Sequence, residues 1–384
     1  MLATTSNAPL AEKLTVNGDR LWDDIHYTAK WSAPSPGGLT RLCADENDKL
    51  ARDWFRDQVL ELGADYKVNA TGTQFALFPG EDESIVPIAM GSHLDSVATG
   101  GKFDGPLGVI GEGARFFPLL GSSIVYAGKS TVAEAHASKS NDHSGITMGS
   151  ELAKIGYVGD GPNPFAEFPI SAHFEIHVEQ STDLEKAGKP VGWVEGWQGM
   201  TWYSFHYNGE NSHANTYPMY GRRDALVGAA KAITAIEALA YKHNGDTTVT
   251  NMEGLEAMGT DIETQIQGIG ALHGLELEMK RDIHVPPGDF WPEAIDCVKR
   301  ACGDKGIGSR TGTGHDSTMT TTLVPTAMVF VRGKDGISHS PKEWSDKEDC
   351  IEGALALGKA VLNFDELMKT KGSISSTQSE YIKT

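Results

Sequence analysis

Cysteine is scarce in this chain: Cys43, Cys297, Cys302 and Cys350 are the only four in 384 residues, and no two form a C-x-x-C pair. So sparse a set excludes a disulfide framework and predicts buried free thiols. Basic residues are also in deficit, 33 Lys and Arg against 52 Asp and Glu, for a formal charge of −19. That balance repels phosphate backbones and anionic lipid, so neither nucleic acid nor a membrane is expected as a partner. No apolar run approaches the length of a bilayer span. The first residues, MLATTSNAPLAEKLTVNGDR, lack a basic region followed by an apolar signal core, and a cytosolic location is expected. With 39% hydrophobic residues the chain can bury a large core, and its length exceeds that at which single cores tend to split, so two domains are predicted.

Periodicity places several elements. Leu50, Trp54, Phe55, Val59 and Leu62 recur at helical spacing and Gly63 follows, which predicts an amphipathic helix between Asn47 and Leu62. Ile85 to Met90 is a short apolar run leading into Gly-Ser, as a buried strand would, with Pro87 marking a bulge or edge. In Ala172-His173-Phe174-Glu175-Ile176-His177-Val178-Glu179 apolar and polar residues alternate, so one face of a half-buried strand carries two histidines and two carboxylates. Asp224 can cap a helix with Leu226, Ala229, Ile233, Ile236 and Ala240 on one face. The glycine-rich, aromatic stretch before it suggests that an inserted domain begins near Gly196. Val324 to Val331 reads as another buried strand, and the Ser/Thr/Lys-rich tail after Lys369 as disorder.

Candidate metal ligands sit at the ends of three of these strands. Gly91-Ser-His93-Leu-Asp95 is followed by Gly100-Gly101-Lys102-Phe103-Asp104-Gly105, histidine and carboxylate on a loop whose glycines let the backbone turn around an ion. Asp95 is placed to orient His93. Alone, an H-x-D reads as turn chemistry, His177 as a strand histidine, and His339 as a loop residue before Pro341. Together with Glu112 they make three imidazoles and two carboxylates, a donor set suited to two metals sharing one carboxylate.

The stretches GSHLDSV…GGKFDGPLGV, EGARF, HFEIHVEQ, SHANTYPMYGRRDAL, GTGHD and DGISHSP occur in this order. In them the chain resembles the di-zinc hydantoinase/carbamoylase amidohydrolases, which include N-carbamoyl-L-amino-acid hydrolases, β-ureidopropionase and allantoate amidohydrolase, from about Gly37 to Leu362. The resemblance implies an α/β fold, a zinc-aminopeptidase-like catalytic domain from residues 1–195 and 285–384, with an inserted α+β lid and dimerisation domain over 196–284. It implies one metal on His93, Asp104 and His177 and another on Asp104, Glu112 and His339, zinc first, with manganese, cobalt or nickel as alternatives. It further implies that Gln180, Gly314 and His315 line the substrate pocket. His213 would act as a catalytic imidazole reaching the reacting carbonyl in the neighbouring subunit of a homodimer. Asp316 would orient His315, and Asn215 reads as a plain loop residue. The expected substrate is a small ureido compound, an N-carbamoyl-L-amino acid, with allantoate or ureidoglycolate hydrolysis, or a catalytically dead metal-binding homologue, as alternatives.

The chain departs from that family in two places. A crossover helix and strand ending in a Glu-Glu pair are expected after FDGPLGV, but Ile110-Gly111 leads straight to Glu112. Gly111 therefore stands where the resemblance implies the general base. A parallel crossover needs a dozen or more residues, so a piece of the central sheet is also missing. The eight residues from Asp104 to Glu112 still span up to about 26 Å, enough for the ligands to converge. After Thr248-Val249-Thr250 the chain passes directly to Asn251-Met252-Glu253, skipping an Asn-bearing turn and an Asp-x-Arg strand implied to hold the substrate carboxylate. Two abrupt losses between well-kept motifs read as missing coding segments rather than gradual decay.

Overall fold

The computed structural model describes residues 9–33, 37–105, 107, 115–117, 121–142, 144–161, 163–243 and 251–371. These fall into two units. The first takes the chain up to Glu195, then Phe290–Ser309 and the residues from His315 onward; the second comprises Gly196–Asp289 and Arg310–Gly314.

In the first unit, helix α1 (Glu46–Glu61) starts where the side chain of Asp45 accepts from the Asp48 N–H, and Gly63 follows its C-terminal end at φ +85°. Its stop is thus the one the sequence advertises, while its start, one residue before the predicted Asn47, is set by the Asp45 cap. Four of the six strands of the central sheet run in the order β3 (Val191–Trp197), β6 (Thr326–Val331), β2 (Ala172–Val178), β1 (Ile88–Met90). β6, β2 and β1 are parallel, and β3 is antiparallel to β6. Strand β1 is shorter than the apolar run predicts: only the residues after Pro87 pair, since a proline has no N–H to give a ladder.

Strand β2 differs from expectation in a way that matters for the site. Every residue of it is buried, so it is a central strand rather than a half-solvated one. Phe174, Ile176 and Val178 enter the main apolar core with Val329, Val331 and helices α5 (Pro292–Cys302) and α7 (Lys347–Lys371); the Phe174 and Phe364 rings meet at 5.6 Å. His173, Glu175 and His177 point the other way into a polar, equally buried layer. That layer is tolerable because its groups find partners: His173 Nδ1 lies 2.8 Å from the Thr320 hydroxyl, and Glu175 is hydrogen-bonded on both oxygens. All four cysteines are free and buried.

The second unit is a two-layer α+β arrangement. β4 (Met200–Asn208) pairs antiparallel with β5 (Glu276–Val285), and helices α3 (Ala225–Lys242) and α4 (Met252–Leu272) pack on the pair and on each other. Asp224 caps α3 by accepting from the Val227 N–H at 3.1 Å. Along α3, Gly228, Ala232 and Leu239 are the buried residues, while Leu226 and Ile233, on the apolar face that the sequence names, are 79% and 66% exposed. Gly228 sets this choice, because a Cβ there would stand 2.3 Å from Leu275 Cδ1. Helix α7 continues to Lys371, past the predicted onset of disorder at Lys369, and the rest of the tail lies outside the described residues. No described helix is long and apolar enough to cross a membrane.

Candidate metal centre

Three of the five predicted ligands converge on the carboxylate of a fourth, Asp104. His93, from the loop after β1, and His177, from the end of β2, bring their Nε2 atoms to 3.2 and 3.1 Å from Asp104 Oδ1 and to 3.4 Å from each other. His339, from the loop after β6, reaches Asp104 Oδ2 at 3.1 Å. The carboxylate is therefore approached by a pair of imidazoles on one oxygen and a third on the other, the disposition a bridging ligand needs. Glu112, the fifth predicted ligand, lies outside the described residues, as does Gly111.

Proton bookkeeping tests whether these residues fit a cation. His93 Nδ1 lies 3.1 Å from the Asp95 carbonyl and His177 Nδ1 lies 2.8 Å from the Val178 carbonyl. A carbonyl only accepts, so both rings carry their proton on Nδ1 and, when neutral, aim Nε2 lone pairs at Asp104. Two imidazole lone pairs and a carboxylate oxygen then face one another with no donor between them. Such a nest requires either extra protons or a metal ion, and carbonyl-anchored Nδ1–H groups are how ligating histidines are usually held. Among the described residues His93, Asp104 and His177 alone form a set of three such donors within 4.8 Å.

Without a cation the site is a proton trap. Burial opposes charge on His93, but its hydrogen bond to Asp104 and that group's charge override it and raise the imidazole to about 10. His177 is raised against burial by the same partner. For His339, more exposed, the Asp104 hydrogen bond is the main cause of an upward shift. Burial would raise Asp104 itself, yet its hydrogen bonds to the three imidazoles hold it well below the usual carboxylate range. His339 sits at φ +51°, a left-handed conformation that costs a non-glycine residue about 1–3 kcal/mol and is kept where surrounding contacts enforce it.

The remaining predicted residues are placed as follows. Gln180 turns its amide nitrogen onto Asp104 Oδ2 (3.3 Å) and the Ser338 hydroxyl (2.8 Å), beside the candidate ligands. His315 is buried edge-to-face against His177, ring centroids 4.5 Å apart; burial and His177 pull it down to about 3, so it is a neutral imidazole. Gly314, one residue earlier, belongs to the second unit. His213 also belongs to the second unit, on an exposed turn where its Nδ1 accepts from the Asn215 and Thr216 N–H groups at 3.1 and 3.3 Å. That fixes the proton on Nε2, making His213 an outward-facing donor.

Two further buried carboxylates tie the site together: Glu175, on the polar strand face the sequence names, and Glu343, which the sequence did not single out. Glu175 accepts from the Ser92 hydroxyl (2.8 Å) and from the N–H and hydroxyl of Ser317 (3.1 and 2.7 Å), tying the residue before His93 to the start of the short helix α6 (Asp316–Thr320) after His315. Glu343 accepts from the N–H groups of Phe103 and Asp104. The available signal was an acid following S-H-x-P on a loop already suspected of carrying a ligand.

The model of the peptidase family M20/M25/M40 matches residues 89–363. An N-carbamoyl-L-amino-acid amidohydrolase of Rhizobium meliloti is 29% identical over 93% of this chain and 99% of the relative, and one of Geobacillus stearothermophilus is 30% identical over 89% and 97%. These alignments run over 415 and 402 positions, more than the 384 residues of the chain, so the relatives carry residues with no counterpart here. A crystal structure of an amidase of the hydantoinase/carbamoylase family from Burkholderia vietnamiensis superposes with a TM-score of 0.84 at 30% identity, covering 91% of this chain and 97% of that one. The convergent His/Asp nest thus lies in a chain that belongs to the peptidase M20/M25/M40 family and, within it, to the hydantoinase/carbamoylase amidases, hydrolases of C–N bonds.

Proposed function

We propose that the chain is a two-metal amidohydrolase of the ureido C–N bond of an N-carbamoyl-L-amino acid, giving the amino acid, carbon dioxide and ammonia. The observation carrying this reading is Asp104, with His93 and His177 on one oxygen and His339 on the other. Two divalent cations held there, with Glu112 completing the second set, would supply Lewis acidity to the ureido carbonyl and to the attacking water. The chain's own groups do the rest. Gln180 orients the shared carboxylate, and neutral His315 packs against His177 to fix that ring. His213, with its proton on Nε2, is suited to donate to the developing oxyanion of a substrate bound in the partner subunit. Allantoate and ureidoglycolate need the same centre with a differently shaped pocket, so a panel of the three ureido substrates separates them.

Metal uptake tests the reading. The protein is expected to bind two divalent ions per chain, zinc preferred, and to release protons as it does so at pH 7, because the metal-free imidazoles are raised above their ordinary value. Affinity should therefore rise with pH. Elemental analysis showing no metal after growth with zinc, or calorimetry in buffers of different ionisation enthalpy showing no proton release, would sink it.

A homodimer through α3 is part of the same proposal. Leu226, Ala230, Ile233 and Tyr241 share one face by their spacing, and three of these large side chains are 66–79% exposed. The substitution Ile233→Asp is expected to convert a dimer into a monomer in light scattering with an unchanged circular dichroism spectrum. A wild-type chain that is already monomeric at micromolar concentration would remove this part of the proposal.

A further inference from the structure

We propose that Glu343 is a positioning residue, a buried carboxylate that locks the Asp104 loop and the His339 loop at the separation at which both side chains enter one centre. This rests on the reading of Asp104 and His339 as metal ligands. Glu343 is only 4% exposed. Its Oε1 accepts from the backbone N–H groups of Phe103 and Asp104 at 3.0 and 2.9 Å, and its Oε2 accepts from the Ser338 hydroxyl at 3.0 Å. One side chain thus grips the residue that carries the shared carboxylate and the residue immediately before His339.

The contacts close into a circuit with one direction. Ser338 has a single hydroxyl proton, and giving it to Glu343 leaves oxygen lone pairs free to accept from Gln180 Nε2 at 2.8 Å. The second amide proton of Gln180 is then available to Asp104 Oδ2 at 3.3 Å, and the Asp104 N–H returns to Glu343. The circuit works only if Glu343 accepts on both oxygens. An amide in its place would present a donor either to two backbone N–H groups or to the Ser338 hydroxyl, and one link would reverse or break. The backbone leaves room for this carboxylate at one point: a Cβ on Gly101 would stand 2.1 Å from Glu343 Oε1 and 2.3 Å from its Cβ and Cδ, so the whole side chain, not only its tip, would be displaced.

The test uses the full-length chain freed of metal and titrated with Co²⁺, followed by its visible absorption, so that no turnover is needed. Glu343→Gln is expected to weaken cobalt binding about 10–100-fold and to change the d–d spectrum, while the thermal transition stays cooperative. Gly101→Ala, pushing the same carboxylate from the other side, should give the same change, and Glu343→Asp, which keeps the charge but withdraws it, an intermediate one. If Glu343→Gln does not fold, the other two variants make the comparison. Cobalt affinity and spectrum like wild type in the folded variants would overturn the role of Glu343 and leave the metal reading standing. No cobalt uptake by the wild-type chain would overturn both. A wild-type chain that takes up a single ion would end the two-metal reading only, because that ion still uses Asp104 and the predicted weakening still applies to it.

Discussion

Replacing Gly111 with a crossover segment of helix and strand that ends in glutamate is expected to raise the hydrolysis of an N-carbamoyl amino acid about 10²–10⁴-fold, the range a positioned general base supplies. The expectation depends on no other carboxylate being free for the task. Glu175 has Ser92 on one oxygen and Ser317 on the other. Glu179 caps the helix at Asp183–Ala187, taking the Ser181 hydroxyl and the Asp183 and Leu184 N–H groups. Glu343 is held by three donors. Each of the three already holds donors on both oxygens, so taking a proton would weaken contacts it makes. The sheet also leaves a place for the segment: among the described residues β1 is the strand at one of its edges, with Met90 61% exposed beside Ile85 and Val86 at 56% and 40%. An apolar edge of this kind is what natural sheets cover. The measurement is kcat/KM for the two proteins side by side, both loaded with zinc. Equal values would mean that another group takes the proton, and Asp316, pushed upward by burial and by the charge of Glu175, would be the first to test as Asp316→Asn.

Local chemistry was legible in the sequence where a single residue decides the outcome. Gly63 ends one helix, Asp224 starts another through its own side chain, Pro87 precedes an edge strand, and the alternation in β2 names its two faces correctly. Burial was not legible there, because period two is the same whether the polar face meets water or other polar groups. It is the tertiary placement of Ser92 and Ser317 on Glu175, of Thr320 beside His173 and of Asp104 beside His177 that lets this polar face be buried instead of solvated. Which face of helix α3 packs inward was not legible for a related reason. Its apolar residues wrap much of the helix, and Gly228 against Leu275 selects the inner face, a contact between residues far apart in sequence. The convergence of His93, Asp104, His177 and His339 came from family resemblance, since each is ambiguous alone. Glu343 escaped because its role is to accept from backbone N–H groups that no side-chain pattern records.

Asp104→Asn is expected to have the largest effect of any single substitution, abolishing tight metal uptake and lowering hydrolysis beyond the roughly 10⁴-fold that loss of a general base alone can cost. The change is nearly isosteric, so packing survives, but one neutral amide then replaces the carboxylate on which three imidazoles converge. Its NH₂ would also point a donor at Gln180 Nε2 or at the imidazoles on Oδ1, in place of an acceptor. A second readout works without metal. In the metal-free wild type, the depressed Asp104 contributes stability above the ordinary carboxylate value of about 3.9 and loses it as the pH falls further. The raised His93 contributes fully below the ordinary imidazole value of about 6.5 and loses its contribution as the pH rises towards about 10. Both act together between about pH 4 and 6.5. The gap in melting temperature between metal-free wild type and Asp104→Asn should therefore be widest in that window and close towards pH 10. A gap that widens with rising pH, or a variant that keeps two zinc ions and wild-type turnover, would show that Asp104 is not the group that gathers this centre. The two measurements fail separately: a lost metal with a flat pH profile would keep Asp104 as a ligand but deny it the charge coupling to His93, His177 and His339 on which the proton-release prediction depends.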